Sequence, residues 1–247
     1  MSIYMTGDIH SSKMRMWDIG NYCEAHKTTI NDWLICLGDV GLNYYGAKSQ
    51  KDISIKNEAA ELPIKMFCIH GNHERRPSEK DGYRQIDITE GAIQGPMLWD
   101  PTYPNQYFAI DGAIYKIKTP ERELSALVCG GAYSVDKYYR LESGWPLLWF
   151  EDEQPSELTK GVVRFMASKY RIDIMLTHTC PLRFEPTELF IGGIDQSSVD
   201  TSTEEFFDEL YEQFPADHKP MWYFGHFHGD KYTDDYVMLF CDIIELK

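Results

Sequence analysis

Hydrophobic residues fall in short blocks, separated by polar stretches with helical spacing, and most blocks close on a glycine or threonine. Residues 2–6 read as a strand that stops at Gly7-Asp8, and residues 13–29 as a helix. Trp33-Leu34-Ile35-Cys36-Leu37 has no polar member, the mark of a strand buried on both faces, and it ends at Gly38-Asp39. Residues 48–62 predict a second helix, and residues 64–69 a third strand ending at Gly71-Asn72. Strand, helix, strand, helix, strand is the order of parallel βαβ units.

Beyond this the pattern changes. Residues 106–118 are rich in Tyr, Phe and Ile around Asp111-Gly112, which predicts a two-residue hairpin. Residues 124–129 form an apolar strand before Gly130-Gly131. Residues 156–170 place Leu158, Val162, Phe165 and Met166 at helical spacing, and residues 172–176 are again strand-like. Thr201 and Glu204 form a capping box ahead of Phe206, Phe207, Leu210, Tyr211 and Phe214. Residues 221–224 read as a strand ending in Gly225-His226, and residues 236–246 close with strand-like runs. The segments 74–105, 131–155 and 180–200 read as loops. With no repeat, linker or break in composition, the chain reads as one domain over residues 1–247.

Composition narrows the class. The 247 residues are 43% hydrophobic, enough for a substantial core. No apolar run approaches the ~20 residues a membrane span needs. Six scattered cysteines without a CxxC pair, and an N-terminus without a basic and apolar leader, point to a reduced, cytoplasmic protein. The net charge of -15 argues against a dedicated nucleic-acid binder, because such proteins neutralise phosphates with Lys and Arg.

The chemistry collects at strand ends. Five strand-like runs finish in Gly or Thr followed at once by metal-competent side chains: Asp8 and His10, Asp39, Asn72 and His73, His178, and His226 with His228. Ligands of open α/β sheets bind at the carboxyl ends of strands, so these scattered residues are placed to converge. Hard oxygens mixed with imidazoles suit Mn, Fe or Zn rather than Ca. A glycine before each ligand lets the backbone turn sharply. Taken singly, each block also reads as a turn or cap residue. His26, His70 and His218 read as structural or surface residues, with His70 packed beneath the site, and the cysteines as small buried residues.

Gly7-Asp8-Ile9-His10, Gly38-Asp39, Gly71-Asn72-His73-Glu74, Thr177-His178 and Gly225-His226-Phe227-His228, in that order, resemble the motifs of the calcineurin-like metallophosphoesterase superfamily. The resemblance implies an α/β fold of two packed mixed β-sheets flanked by helices. It implies two divalent transition metals, Mn foremost with Fe, Zn or Ni as alternatives. Asp8, His10 and His228 would hold the first metal, Asn72, His178 and His226 the second, and Asp39 would bridge them. His73 would be general acid or a cationic donor to the phosphate, with Glu74 orienting His73 or the nearby backbone. The implied reaction is phosphoester hydrolysis by a metal-activated hydroxide, without a covalent enzyme intermediate.

The substrate reading rests on less. Ser/Thr protein phosphatases of the superfamily carry G-D-x-H-G and G-D-x-V-D-R-G, whereas this chain has Ser11 in place of the first motif's final Gly and lacks the Arg after Asp39. A phosphomonoesterase of bacterial or phage type fits better. A phosphodiesterase or nuclease on the same site is the alternative, and a ligand-depleted binding scaffold is disfavoured by the intact ligand set. Arg75, Arg76, Lys137, Arg140 and Arg183 are the basic residues nearest the motifs, and Arg75, directly after the His73 turn, is the first candidate for a phosphate or leaving-group contact alongside Asn72. Gly130-Gly131-Ala132-Tyr133-Ser134 resembles a substrate-side loop of bacterial members. Tyr44, Tyr45, Trp99, Tyr103, Trp145 and Trp149 sit in or beside loops, packing them or stacking on substrate.

Overall fold

A computed structural model describes residues 1–46, 49–190 and 196–247. Its strands are β1 (Ile3–Thr6), β2 (Trp33–Cys36), β3 (Lys65–Cys68), β4 (Arg84–Ile88), β5 (Ile93–Trp99), β6 (Gln106–Ala109), β7 (Ile114–Lys118), β8 (Glu123–Cys129), β9 (Ile174–Thr177), β10 (Met221–Phe224), β11 (Lys231–Tyr232), β12 (Tyr236–Met238) and β13 (Ile244–Glu245). The α-helices are α1 (Lys13–His26), α2 (Gln50–Ala60), α3 (Lys137–Ser143), α4 (Glu157–Lys169) and α5 (Ser202–Gln213). The expected start of the second helix, Lys48, and residues 191–195 of the expected 180–200 loop lie outside the described residues.

The helices begin where short polar side chains can satisfy free backbone N–H groups. Ser12 accepts from Arg15 N at the start of α1, Ser49 from Lys51 N at α2, and Ser156 from Thr159 N at α4. The apolar blocks become strands buried on both faces: every residue of β1, β2 and β9 is buried. Parallel strands β1, β2, β3 and β6 form one half of a curled sheet, with β13 antiparallel along β1. Parallel strands β8, β9, β10 and β12 form the other half, with β7 and β11 antiparallel at β8 and β12. Strand β5 joins the halves: Ile93 and Gln94 pair with β7, and Met97 to Trp99 pair with β6.

Between the halves lies the main core, where Ile3, Met5, Trp33 and Phe67 from one sheet meet Tyr115, Val128, Leu176 and Tyr223 from the other. Helices α1 and α2 cover one outer face through Met16, Ile19, Ile55 and Ala59. Helices α4 and α5 cover the other through Val163, Phe206, Phe207 and Leu210. The result is the two packed mixed sheets between helices that the resemblance implied. No helix among the described residues is long and apolar enough to cross a membrane.

Five local expectations are corrected. Residues 74–105 are not a loop, since β4 and β5 pair from Arg84↔Trp99 to Ile88↔Gly95. Gly95 and Pro96 interrupt the apolar pattern just where β5 changes sheet partners, and Gly95 has φ 146° with Tyr115 against it. Residues 131–155 likewise hold α3. No hairpin forms at Asp111-Gly112: β6 and β7 each pair with β5, and the turn carries the chain from one sheet to the other. The Leu158–Val162–Phe165 stripe of α4 faces solvent, while Val163 and Lys160 are the residues it buries.

The fifth correction concerns the start of α5. The Thr201 side chain caps no backbone group there, and Asp200 Oδ1 accepts from Ser202 N at 3.0 Å. Glu204 turns inward and accepts the Thr179 hydroxyl at 2.6 Å, while its other carboxyl oxygen is buried without a partner. Burial pushes the Glu204 carboxyl from 4.5 up to about 7, against the Thr179 hydrogen bond. A carboxyl raised in the folded state favours its protonated form, so this contribution to stability is present below pH 4.5 and is lost as pH rises to 7. Glu204→Gln keeps an acceptor for Thr179 and removes the charge. Urea unfolding should therefore find the variant more stable than the parent at pH 8, by up to about 3 kcal/mol, and nearly equal at pH 4.5.

Candidate metal centre

The candidate ligands sit just past the carboxyl ends of five parallel strands: Asp8 and His10 after β1, Asp39 after β2, Asn72 after β3, His178 after β9, and His226 and His228 after β10. Both halves of the curled sheet contribute. Among the described residues only seven other than glycine have φ in the left-handed region, and five are Asp8, His10, Asp39, His226 and His228. Side chains there cost on the order of 1 kcal/mol or more each, so the surrounding structure over-determines these turns.

The preceding glycines have a different task from the sharp turn expected of them. Of Gly7, Gly38, Gly71 and Gly225 only Gly38 has positive φ, and the four chiefly leave room. A Cβ on Gly38 would lie 2.0 Å from His178 Nδ1, one on Gly71 2.0 Å from Asp39 Oδ1, and one on Gly225 2.4 Å from Asp8 Oδ2.

These turns bring the seven residues together. His10 Nε2 and His228 Nε2 approach to 2.9 Å, and they lie 3.8 and 3.7 Å from Asp8 Oδ1. That carboxylate oxygen is buried and has no hydrogen-bond partner. Asn72 Oδ1 lies 2.8 Å from His178 Nε2 and 3.1 Å from His226 Nδ1. Asp39 Oδ2 stands between the groups, 3.7 Å from His10 Nε2 and 3.5 Å from His178 Nε2. Asp8, His10 and His228 form one set able to hold a cation, and Asp8, Asp39 and His178 an overlapping one. An orphaned buried carboxylate oxygen facing two imidazole nitrogens fits a divalent transition metal in its choice of donors.

Neighbouring groups aim the ligands. His178 Nδ1 donates to Leu37 O at 2.8 Å, so Nε2 is the atom turned to the centre. Asn72 Nδ2 donates to Ser134 Oγ at 2.9 Å, which points the amide oxygen at the two histidines. His226 N donates to Asp8 Oδ2 at 2.9 Å, and His73 N to Asp39 Oδ1 at 2.7 Å, leaving the other oxygen of each carboxylate for the centre. Glu74 orients backbone and not His73: its two oxygens accept from Gly71 N and Gly41 N, at 3.2 and 3.1 Å.

Charge state follows burial. Burial pushes the Asp8 carboxyl up to about 8, outweighing the attraction of His178. Burial also lowers His10 to about 4 and holds His226, His73 and His228 below the ordinary imidazole range. His178 differs, because the adjacent Asp39 carboxylate overcomes burial and raises it to about 9. Asp39 in turn is held well below its usual range, against its burial, by the charge of His178.

Of the other expected residues, His73 places its ring 5.7 Å from that of His10, with Nδ1 buried and unpartnered. Arg75 touches no ligand; its guanidinium lies 5.7 Å from the Phe150 ring. Arg76 is ion-paired with Asp111, and Arg183 with Asp208 and Glu212. Cys68 and Cys180 are buried thiols raised by burial. His70 is buried behind the site with both ring nitrogens unpartnered. Trp99 lies within β5, and Tyr103 is buried. Two residues near the centre were named from sequence without these roles, Ser134 as the end of the substrate-side loop and Arg140 among the basic residues. The Gly130-Gly131 turn after β8 was the available signal for Ser134. Arg140 was visible only as a basic residue near the motifs, yet it lies close enough to bias the charge of His73.

The family profile described as calcineurin-like phosphoesterase matches residues 1–230. No curated protein matches the chain. One solved structure is 10% identical with a TM-score of 0.50, the match covering 96% of this chain and 89% of the other. A phosphopantetheinyl hydrolase from Mycobacterium tuberculosis is 13% identical with a TM-score of 0.46, over 96% and 87% of the two chains. A protein of unknown function from Aquifex aeolicus is 13% identical with a TM-score of 0.35, over 72% and 80%. At such identities the first likeness speaks for the fold alone.

Proposed function

The chain belongs to the calcineurin-like phosphoesterase family, a family of metal-dependent hydrolases of phosphoester bonds, and from that premise we propose that it is a binuclear phosphomonoesterase. The observation that carries the reading is the gathering of seven donor side chains from five strand ends, with Asp8, His10 and His228 in one set able to hold a cation, Asp8, Asp39 and His178 in an overlapping one, and Asn72 against His178 and His226. Asp8, His10 and His228 would hold one divalent metal, Asn72, His178 and His226 a second, and Asp39 both. Mn is our first choice, with Fe, Zn or Ni as alternatives. Two such cations supply Lewis acidity toward a phosphoryl group and acidify water.

The chain's own residues do the rest. Asp39 offers a carboxylate able to serve two cations, and Asn72 a neutral oxygen that leaves the second cation more electrophilic. His73 is neutral before substrate arrives, because burial lowers it. The dianionic phosphate then favours its protonated form, and the ring gives that proton to the leaving oxygen. Arg75, the residue after Glu74, would meet the phosphate or the leaving group. We place the enzyme in the cytoplasm, a setting that its six unpaired thiols suit. The test compares an aryl phosphomonoester with an aryl phosphodiester after Mn²⁺ loading. Faster monoester turnover supports the reading, faster diester turnover overturns its monoester part, and activity on neither overturns the hydrolase assignment.

The protonation states give a second expected result. Cations must displace the protons held by Asp8, about 8, and by His178, about 9, so affinity rises with pH across that range. The metal-free chain meanwhile loses the Asp8 contribution to stability as pH rises from 3.8 to about 8, since that carboxyl is raised in the folded state. Mn²⁺ should therefore raise the melting temperature more at pH 8 than at pH 6, with the gap abolished by chelator. An equal rise at both pH values would contradict these proton assignments.

A further inference from the structure

Hydrogen bonds from outside the donor set aim His178, through Leu37 O, and Asn72, through Ser134 Oγ. His228 has no such bond: among the described residues its ring hydrogen-bonds only to His10, another donor, at 2.9 Å. Its side chain is 51% exposed and its backbone sits at φ 52°, so the turn alone leaves two side-chain torsions to be fixed. What lies against the ring is Phe240. The two rings stack with centroids 4.8 Å apart and planes 20° from parallel, while His10 meets the same imidazole edge-on.

Phe240 follows β12 and is held from two sides. Its N–H donates to Asp230 Oδ1 at 2.7 Å, and the same carboxylate accepts from Cys241 N at 3.2 Å and Asp242 N at 3.1 Å. Asp230 lies two residues beyond His228, so these bonds tie the backbone of the covering ring to that of the ligand it covers. On the other side Phe240 O accepts from Arg15 Nη2 at 2.6 Å, and Cys241 O from Arg15 Nη1 at 3.1 Å. Arg15 is only 7% exposed, and its Nη2 also donates to Thr6 Oγ1 at 2.9 Å, two residues before Asp8. Burying a guanidinium is costly unless its donors are used, and this one spends both Nη atoms on placing residues 240 and 241 against β1.

Resting on the binuclear part of the reading above and not on its choice of ester, we propose that Phe240 is a positioning residue of the first metal site, its clamped ring holding the His228 imidazole in the plane that turns Nε2 toward Asp8 Oδ1. A flat apolar ring suits the task, because it sets the plane of the imidazole and does not compete for the cation. A leucine fills most of the same space and leaves that plane free. The effect is therefore confined to one metal and acts only through His228.

The test titrates the metal-free full chain with Mn²⁺ by calorimetry. Phe240→Leu should weaken one of two sites at least about tenfold, the scale on which groups that orient a metal ligand act, and leave the other within about twofold. Phe240→Tyr, which keeps the ring, should bind as the parent does, and neither variant should lower the melting temperature of the metal-free chain. In His228→Ala the same site is already weak, and adding Phe240→Leu should change it no further. Asp230→Ala frees the clamp but keeps the ring. It should weaken that site in the same direction, again only while His228 is present, and it carries the test if the leucine variant fails to fold. Unchanged affinities, equal weakening of both sites, or a further loss on top of His228→Ala overturns the positioning role. A parent that binds one Mn²⁺, with the Phe240 effect still dependent on His228, supports that role and overturns the binuclear reading. No Mn²⁺ binding by the parent overturns both.

Discussion

Asp39→Asn should lower kcat/KM for an aryl phosphomonoester by at least about a thousandfold, equivalent to about 4 kcal/mol of transition-state stabilisation, and should lower bound metal below two per chain. Asp39 Oδ2 is the atom that stands within 4 Å of both His10 Nε2 and His178 Nε2. An amide there is neutral, cannot serve two cations with one anionic oxygen, and leaves the two metals to repel each other without compensation. The His73 N–H would still find an acceptor, as it does at 2.7 Å now, so the backbone of the site should persist. Circular dichroism should confirm a folded variant while elemental analysis reports lost metal. Parent turnover with two metals bound would refute the bridging role.

Gly71→Ala should be the most damaging change of a single methyl group. The added Cβ would lie 2.0 Å from Asp39 Oδ1 and 2.2 Å from Asp39 N, contacts that real side chains do not make. Part of the obstacle is backbone, so no rotamer relieves it, and Asp39 or the Gly71-Asn72 turn must move. The expected cost is about 3 kcal/mol of stability, the upper range for overpacking, together with loss of metal binding because Asp39 and Asn72 are displaced. Gly161 in α4 makes the control: a Cβ there meets nothing within 4 Å, and Gly161→Ala should stabilise by up to about 1 kcal/mol. Melting temperature and metal content on the pair separate the effects. A Gly71→Ala chain with parent stability and full metal content would show that the turn is not closed around Asp39.

The site was legible because its signals are local. Each ligand lies within a few residues of an apolar block with the pattern of a buried strand, and although each block alone reads as a turn or cap, the five stand in one order along the chain. What sequence could not show is the use of the glycines. The ligands themselves take the left-handed backbone, and glycine is required because Asp8, Asp39 or His178 occupies the space its Cβ would need. Ser134 was readable as the end of a substrate-side loop, but its bond to Asn72, crossing 62 residues, was not.

In the fold, the parallel βαβ start was readable and the sheet junction was not. Gly95-Pro96 looks like a strand breaker, yet it marks the place where β5 passes from partner β6 to partner β7. Gln106 to Lys118 has the pattern of a hairpin, but β5 supplies the pairing that the hairpin would have made. Side-chain pattern says that a segment is extended and never which strand lies beside it. Helix α4 shows the same gap, because its apolar spacing was real while the buried face is set by Val163.

The most direct measurement is anomalous diffraction from crystals of the chain soaked in Mn²⁺. Two manganese peaks should appear about 3.5–4 Å apart, one against Asp8, His10 and His228, the other against Asn72, His178 and His226, with Asp39 between them. A single peak, or manganese bound away from these seven side chains, would contradict the binuclear centre on which the proposed chemistry rests.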